Sequence, residues 1–174
     1  PAECAETICD SENIECLQTI RTATLQSRLN STEVVSLGYT SVNLEVMQLD
    51  GDPPSVAIFE GTSAIIDGGG HTLSASKSSA LGSLFTVKAG ASLELRNIVL
   101  TNEGGRAVYV ESGGTLIASE GCVFKGNTGA SNGGAVYNTI GGTFTADSAT
   151  FTNNTASTNG GAVYNYGGTF NADS

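Results

Sequence analysis

The chain has 174 residues, among them 23 Gly, 3 Pro and no Trp, and only 14% of its residues are charged. Acidic residues outnumber basic ones by 17 to 7, so the net charge near −10 argues against a nucleic-acid partner or an anionic membrane surface, both of which need Lys and Arg. No run of about 18 apolar residues occurs, so no helical membrane span is expected. Thr, Ser, Asn and Gly separate short runs of Val, Ile, Leu and Phe, a composition that predicts many short strands joined by turns.

The sequence opens at Pro1, without Met and without a basic, apolar leader. Removal of a signal peptide accounts for that, and so would any other trimming. Cys4, Cys9 and Cys16 crowd the first sixteen residues with no His-containing zinc pattern, which predicts an oxidising, extracellular setting and at least one disulfide among them. Residues 1–30 read as an N-terminal cap. Asp10 or Ser11 can start a short helix whose Ile14, Leu17, Ile20 and Leu25 form an apolar stripe, suited to covering the N-terminal opening of a stack of strands. Asn30 and Asn153 head Asn-x-Ser/Thr sequons and are glycosylation candidates in a eukaryotic secretory route.

Residues 31–83 read as irregular first coils: "EVVSLG", "LEVMQL", "SVAIFEG" and "SAIIDGGGHTL", broken by "DGDPP" and "DGGG". The only His, His71, sits in this last glycine-rich turn with no acid–base partner set beside it. From residue 84 to 174 a repeat takes over and breaks off in mid-coil. Gly133 to Gly160, Phe124 to Phe151, Asn127 to Asn154, Val136 to Val163 and Asn138 to Asn165 are all 27 residues apart, and degenerate copies precede them at 28 and about 23 residues. Self-similarity at a fixed period is the signature of a solenoid. The apolar residues alternate with period two, so each coil is built of strands: in "FTVKAGASLEL", Phe85, Val87, Leu93 and Leu95 point inward. The inward columns become Val108/Val136/Val163, Leu116/Phe144/Phe170 and Leu100/Phe124/Phe151, stacked about 4.8 Å apart as three parallel sheets.

"GGAVYN" followed by "FTNN", and "FKGN" one coil earlier, resemble the GGA(I/V) and FxxN motifs of polymorphic outer-membrane protein repeats, within the right-handed parallel β-helix, pectin-lyase-like class. The resemblance covers residues 84–174 well and 56–83 loosely. It implies an all-β, right-handed parallel β-helix, here with the short N-terminal capping helix, and repeats of this kind occur in adhesins and surface proteins.

The repeated polar residues have readings of their own. Asn127/Asn154 and Asn138/Asn165 can stack as amide ladders at the corners. Tyr109, Tyr137 and Tyr164 form an outward column, fit for surface stacking or for holding sugars or a partner. Glu120, Asp147 and Asp173 recur at 27 and 26 residues; such a column fits backbone-bonding turn residues, a weak Ca²⁺ site, or the paired acids of a glycosidase. Basic residues of the repeat region, Lys88, Arg96, Arg106 and Lys125, share no column, unlike the Asp clusters with Arg or Lys of pectin-degrading relatives. Cys122 falls in an inward column with Ile98 and Ala149, as a buried thiol. The threonines of "TFT" at 143–145 and 150–152 do not repeat on every coil, so no flat Thr array of the ice-binding kind is expected.

The expectation is therefore a secreted structural or adhesive β-helix element of a cell surface or extracellular filament, without cofactor unless Ca²⁺ binds the acidic column. Its partners would be further coils or copies of itself, surface glycans or other surface proteins. The alternative is a carbohydrate-active β-helix enzyme, a polysaccharide lyase or hydrolase.

Overall fold

The computed structural model describes residues 19–21, 34–36, 42–45, 56–58, 60–75, 82–129 and 131–173. The fold is an all-β parallel solenoid of about four turns. Numbered in chain order, β1 (Thr19–Arg21), β3 (Val42–Glu45), β6 (Thr72–Ala75), β9 (Val99–Asn102), β12 (Val123–Lys125) and β16 (Thr150–Thr152) form the first sheet. The second contains β4 (Val56–Ile58), β7 (Ser83–Val87), β10 (Arg106–Val110), β14 (Val136–Asn138) and β18 (Val163–Asn165). The third contains β2 (Val34–Ser36), β5 (Ser63–Asp67), β8 (Ser92–Arg96), β11 (Thr115–Ala118), β15 (Thr143–Asp147) and β19 (Thr169–Asp173). Neighbours within each sheet come from successive coils, and every described pair is parallel. Strand hydrogen bonds thus run along the stack, which leaves each coil's interior free for side chains.

The columns read from the alternation are those observed. Val108 lies level with Val136 and Val136 with Val163; Leu116 with Phe144 and Phe144 with Phe170; Leu100 with Phe124 and Phe124 with Phe151. Phe85, Phe124, Phe144, Ile66 and Leu73 are wholly buried in one continuous core. The rings keep the ladder geometry: Phe124 and Phe151 stack with centroids 4.9 Å apart and planes 6° from parallel, and Phe144 stacks on Phe170 at 5.1 Å.

Two features differ from the sequence reading. The described residues contain no helix, and Thr19–Arg21, inside the expected capping helix, is the strand β1 paired with β3. The spacing of Ile14, Leu17 and Ile20 suits a helical stripe, but parallel pairing of Ile20 with Leu44 extends the first sheet instead. The rest of that helix lies outside the described residues. The second feature is a fourth ribbon, β13 (Thr128–Gly129) paired with β17 (Thr155–Ala156) and prolonged by a bridge between Asn132 and Asn159. It occupies the long corner after β12: eleven residues separate Phe124 from Val136, where seven separate the level Leu100 from Val108 on the coil below.

Candidate functional site

The repeated corners are built around amides. Asn127 is fully buried; its Nδ2 donates to Leu100 O at 3.1 Å and to Asn154 Oδ1 at 2.9 Å, and its backbone N–H donates to the same Oδ1 at 3.0 Å. Asn154 Nδ2 in turn donates to Phe124 O at 2.8 Å. At the opposite corner Asn138 Nδ2 donates to Asn165 Oδ1 at 2.8 Å and to Thr169 O at 2.9 Å, while Asn165 Nδ2 reaches Gly168 O at 2.8 Å. Gly142 is required here, because a Cβ on it would collide with Asn138 Oδ1. The lowest rungs are incomplete: Asn127 Oδ1 and Asn138 Oδ1 are buried with no hydrogen-bond partner. Asn138 lies above Val110, which has no amide to offer. These side chains bond backbone and one another, so their chemistry is spent inside the stack.

The acidic column does not form as spaced. Asp147 and Asp173 lie level on neighbouring coils, both exposed, but Ala118 pairs with Ala146, so the residue level with Asp147 is Ser119 and not Glu120. Four residues separate Ala118 from Val123 but three separate the level Ala146 from Thr150, and that extra residue shifts Glu120 out of register. On the coils below, the same position carries Asp67 beside Arg96. Among the described residues no three His, Cys, Asp or Glu side chains are grouped to hold a metal ion. Glu94 accepts from Arg96 Nε at 2.6 Å and from Ser119 Oγ at 3.1 Å; the Arg96 hydrogen bond, with help from Ser119, holds its carboxyl below the usual range despite partial desolvation.

The remaining sequence candidates are scattered. His71 follows the turn in which Gly69 N–H donates to Asp67 Oδ1 at 2.9 Å. Cys122 is buried, donates to Leu95 O at 3.0 Å, and burial pushes its thiol up to about 11. Asn153 is exposed at a corner with φ of 55°. Cys4, Cys9, Cys16 and Asn30 lie outside the described residues.

One outward face does gather unlike groups. Tyr109, Tyr137 and Tyr164 are level on successive coils of the second sheet. Tyr109 and Tyr137 stack at 5.2 Å with planes 21° apart, Tyr164 follows at 5.2 Å, and Tyr166 lies 6.1 Å beyond it. Desolvation, then the neighbouring Tyr109, raises the Tyr137 hydroxyl above its ordinary range. The Arg106 guanidinium lies over two of these rings, 5.6 Å from the Tyr109 centroid and 5.2 Å from that of Tyr137. Beside the ladder, Tyr109, Glu111, Ser112, Tyr137, Thr139, Ile140 and Tyr166 line an open groove of about 520 Å³. Ile140 and Tyr166 are 58% and 51% exposed, and Lys88 Nζ neutralises Glu111 at 2.6 Å.

Sequence reading finds the Tyr column but not Arg106, Ile140 or Tyr166. The signal for Arg106 is present in the chain: "RAVYV" carries Arg where the next coil, "GAVYN", carries Gly134. A side chain that breaks the column has no structural duty to repeat.

The class this defines is a parallel β-solenoid repeat protein with amide ladders at its corners and an aromatic outer face. Residues 121–139 and 148–166 each match the model of the Chlamydia polymorphic membrane protein repeat, so these two coils are repeats of that type. The match supports a surface-exposed protein carrying a β-helix. No curated protein and no solved structure matches the chain.

Proposed function

We propose that this chain is an adhesive structural element of a cell surface, with the solenoid as a stiff spacer and the tyrosine face of the second sheet as its contact surface. The observation that carries this is the run Tyr109, Tyr137, Tyr164 and Tyr166 beside an open groove flanked by the exposed Ile140. Tyr brings large apolar area and a polar tip at low entropic cost, and it is enriched where proteins bind partners. The interior amides and phenylalanines are committed to the stack, which leaves this face with groups to spare. A carbohydrate-active enzyme would need converging acids and a base, and the offset of Glu120 from Asp147 weighs against that alternative.

Beads coated with the protein should attach to cell monolayers or matrix-coated surfaces, and the double variant Tyr137→Ser/Tyr166→Ser should lose most of that attachment while keeping the wild-type circular dichroism. Attachment no better than that of albumin-coated beads, or full attachment by the double variant, would refute the reading.

A further inference from the structure

Among the lysines and arginines of residues 82–173, Lys88 is paired with Glu111, Arg96 with Glu94, and Lys125 is exposed to water. Arg106 is different. It is half-buried against the stacked rings of Tyr109 and Tyr137, and among the described residues it forms no ion pair and its buried Nε has no hydrogen-bond partner. Its Nη nitrogens have no acceptor among the described residues either, yet they are not sealed off from solvent as Nε is. Desolvation pulls its pKa down from the ordinary arginine range. A guanidinium offers five N–H donors in a planar fork, and leaving a desolvated cation without an acceptor is unfavourable. Nothing in the stack requires it, since the residue level with it on the coil below is Ser83 and the coil above carries Gly134.

We propose that Arg106, held across Tyr109 and Tyr137, is the anchor for a single carboxylate side chain on an extended segment of a partner protein, whose neighbouring apolar residue rests on Ile140 and Tyr166. This rests on the tyrosine face being the contact surface. Charge complementarity selects an acid, because a fork without a counter-ion is matched bidentately by a carboxylate. The net charge of −10 favours one negative charge over a polyanion. Protein is favoured over sugar by how the rings stand. Tyr109 and Tyr137 stack on each other with Arg106 over both, so those facing sides are taken up, and the open surface left beside them is the exposed Ile140 and Tyr166. Tyr and Arg beside an apolar shoulder also match the composition of protein–protein hot spots.

The test uses the whole chain on an array of synthetic peptides, each Asp- or Glu-containing sequence matched with its Asn or Gln counterpart, and a panel of neutral and acidic oligosaccharides beside it. Bound peptides should carry Asp or Glu next to an aliphatic or aromatic residue, and the amide counterparts should bind about tenfold or more weakly. Arg106→Gln should remove that discrimination, and Arg106→Lys should restore it only in part, since an ammonium lacks the fork. The melting temperature separates docking from structure: a docking residue leaves it unchanged or raised in Arg106→Gln, whereas a structural one lowers it. Equal binding of acid and amide peptides, unchanged discrimination in Arg106→Gln, or binding to oligosaccharides alone would overturn the proposal. If bead attachment still depends on Tyr137 and Tyr166 in that event, only the carboxylate anchor falls and the adhesive reading stands.

Discussion

The stack should be far more sensitive at Phe124 than at Phe170, although both are rungs of phenylalanine ladders. Phe124 is wholly buried, with Phe151 stacked at 4.9 Å on one side and Phe144 edge-on at 6.4 Å. Phe144 is held by strand pairs on both sides and Phe151 by its pairing with β12, while Leu100 lies level on the coil below, so the neighbours cannot freely close in on the gap that Phe124→Ala would leave. The cost should fall toward the top of the usual range for such truncations, about 4–5 kcal/mol. Phe170 is 39% exposed and touches Phe144 on one side only. Full burial of such a side chain contributes about 1.5–3 kcal/mol, so Phe170→Ala, partly exposed and leaving no closed cavity, should cost about 1–2 kcal/mol. At this size each kcal/mol shifts the melting temperature by about 2–4 °C, which separates the two variants by roughly 10 °C. Thermal melts followed by circular dichroism measure that difference. Hydrogen exchange adds the location: Phe170→Ala should raise exchange only in β19 and its partner β15, as expected where each coil is stabilised mainly by its neighbours. Equal melting shifts for the two substitutions would refute the picture of a ladder whose rungs depend on being covered from both sides.

Two further outcomes concern the interior. Val110→Asn would place an amide directly below Asn138, where its Nδ2 can donate to the orphaned Asn138 Oδ1 and to Gly114 O, as Asn138 does to Asn165 Oδ1 and Gly142 O; urea unfolding should show it less destabilising than Val87→Asn, one coil lower, by about 1–3 kcal/mol. Equal losses would mean that the amide ladder does not extend by register. The second concerns Cys122, whose thiol is raised in the fold from 9.0 to about 11, so the folded state holds the proton more tightly than the unfolded one. That contribution is complete below pH 9 and is lost as pH rises toward 11, up to about 2–3 kcal/mol, and Cys122→Ala should flatten this part of the stability–pH curve. An unchanged slope above pH 9 in Cys122→Ala would show that other groups govern it.

The fold is legible in the sequence because its columns repeat. Val136 and Val163, or Phe124 and Phe151, are independent witnesses to one period, and alternation within "FTVKAGASLEL" assigns inside and outside without further information. The reading fails where one witness stands alone. Ile14, Leu17 and Ile20 fit a helical stripe, and only the pairing of Thr19–Arg21 with Asn43–Glu45 reveals a strand. Counting 27 residues aligns Glu120 with Asp147, but counting from Ala118 to Ala146 gives 28, because the extra residue sits in the turn between them. Periodicity measured on one side of a corner does not carry across it when the corner changes length. The contact face is half legible for the same reason: the Tyr column repeats, whereas Arg106 and Ile140 each occur once.

That contrast is itself informative about where function lies in a solenoid. A residue that recurs on every coil is explained by its neighbours above and below, as Asn127 is by Asn154 and Leu100 O. For such an inward residue the repetition serves the stack and carries no information about a partner. A residue that departs from its column gains nothing from the ladder and must meet its physical cost alone. Arg106 stands where the coil above has Gly134 and the coil below Ser83, and among the described residues its buried Nε has no acceptor. Isolated, that arrangement is less favourable than a neutral side chain would be. Two tyrosine rings across its plane recover part of that cost, and the half-exposed Ile140 and Tyr166 beside them remain uncovered. An unsatisfied donor and an uncovered apolar shoulder on one face are both relieved by a single event, the arrival of a segment that brings an acid and an apolar residue together.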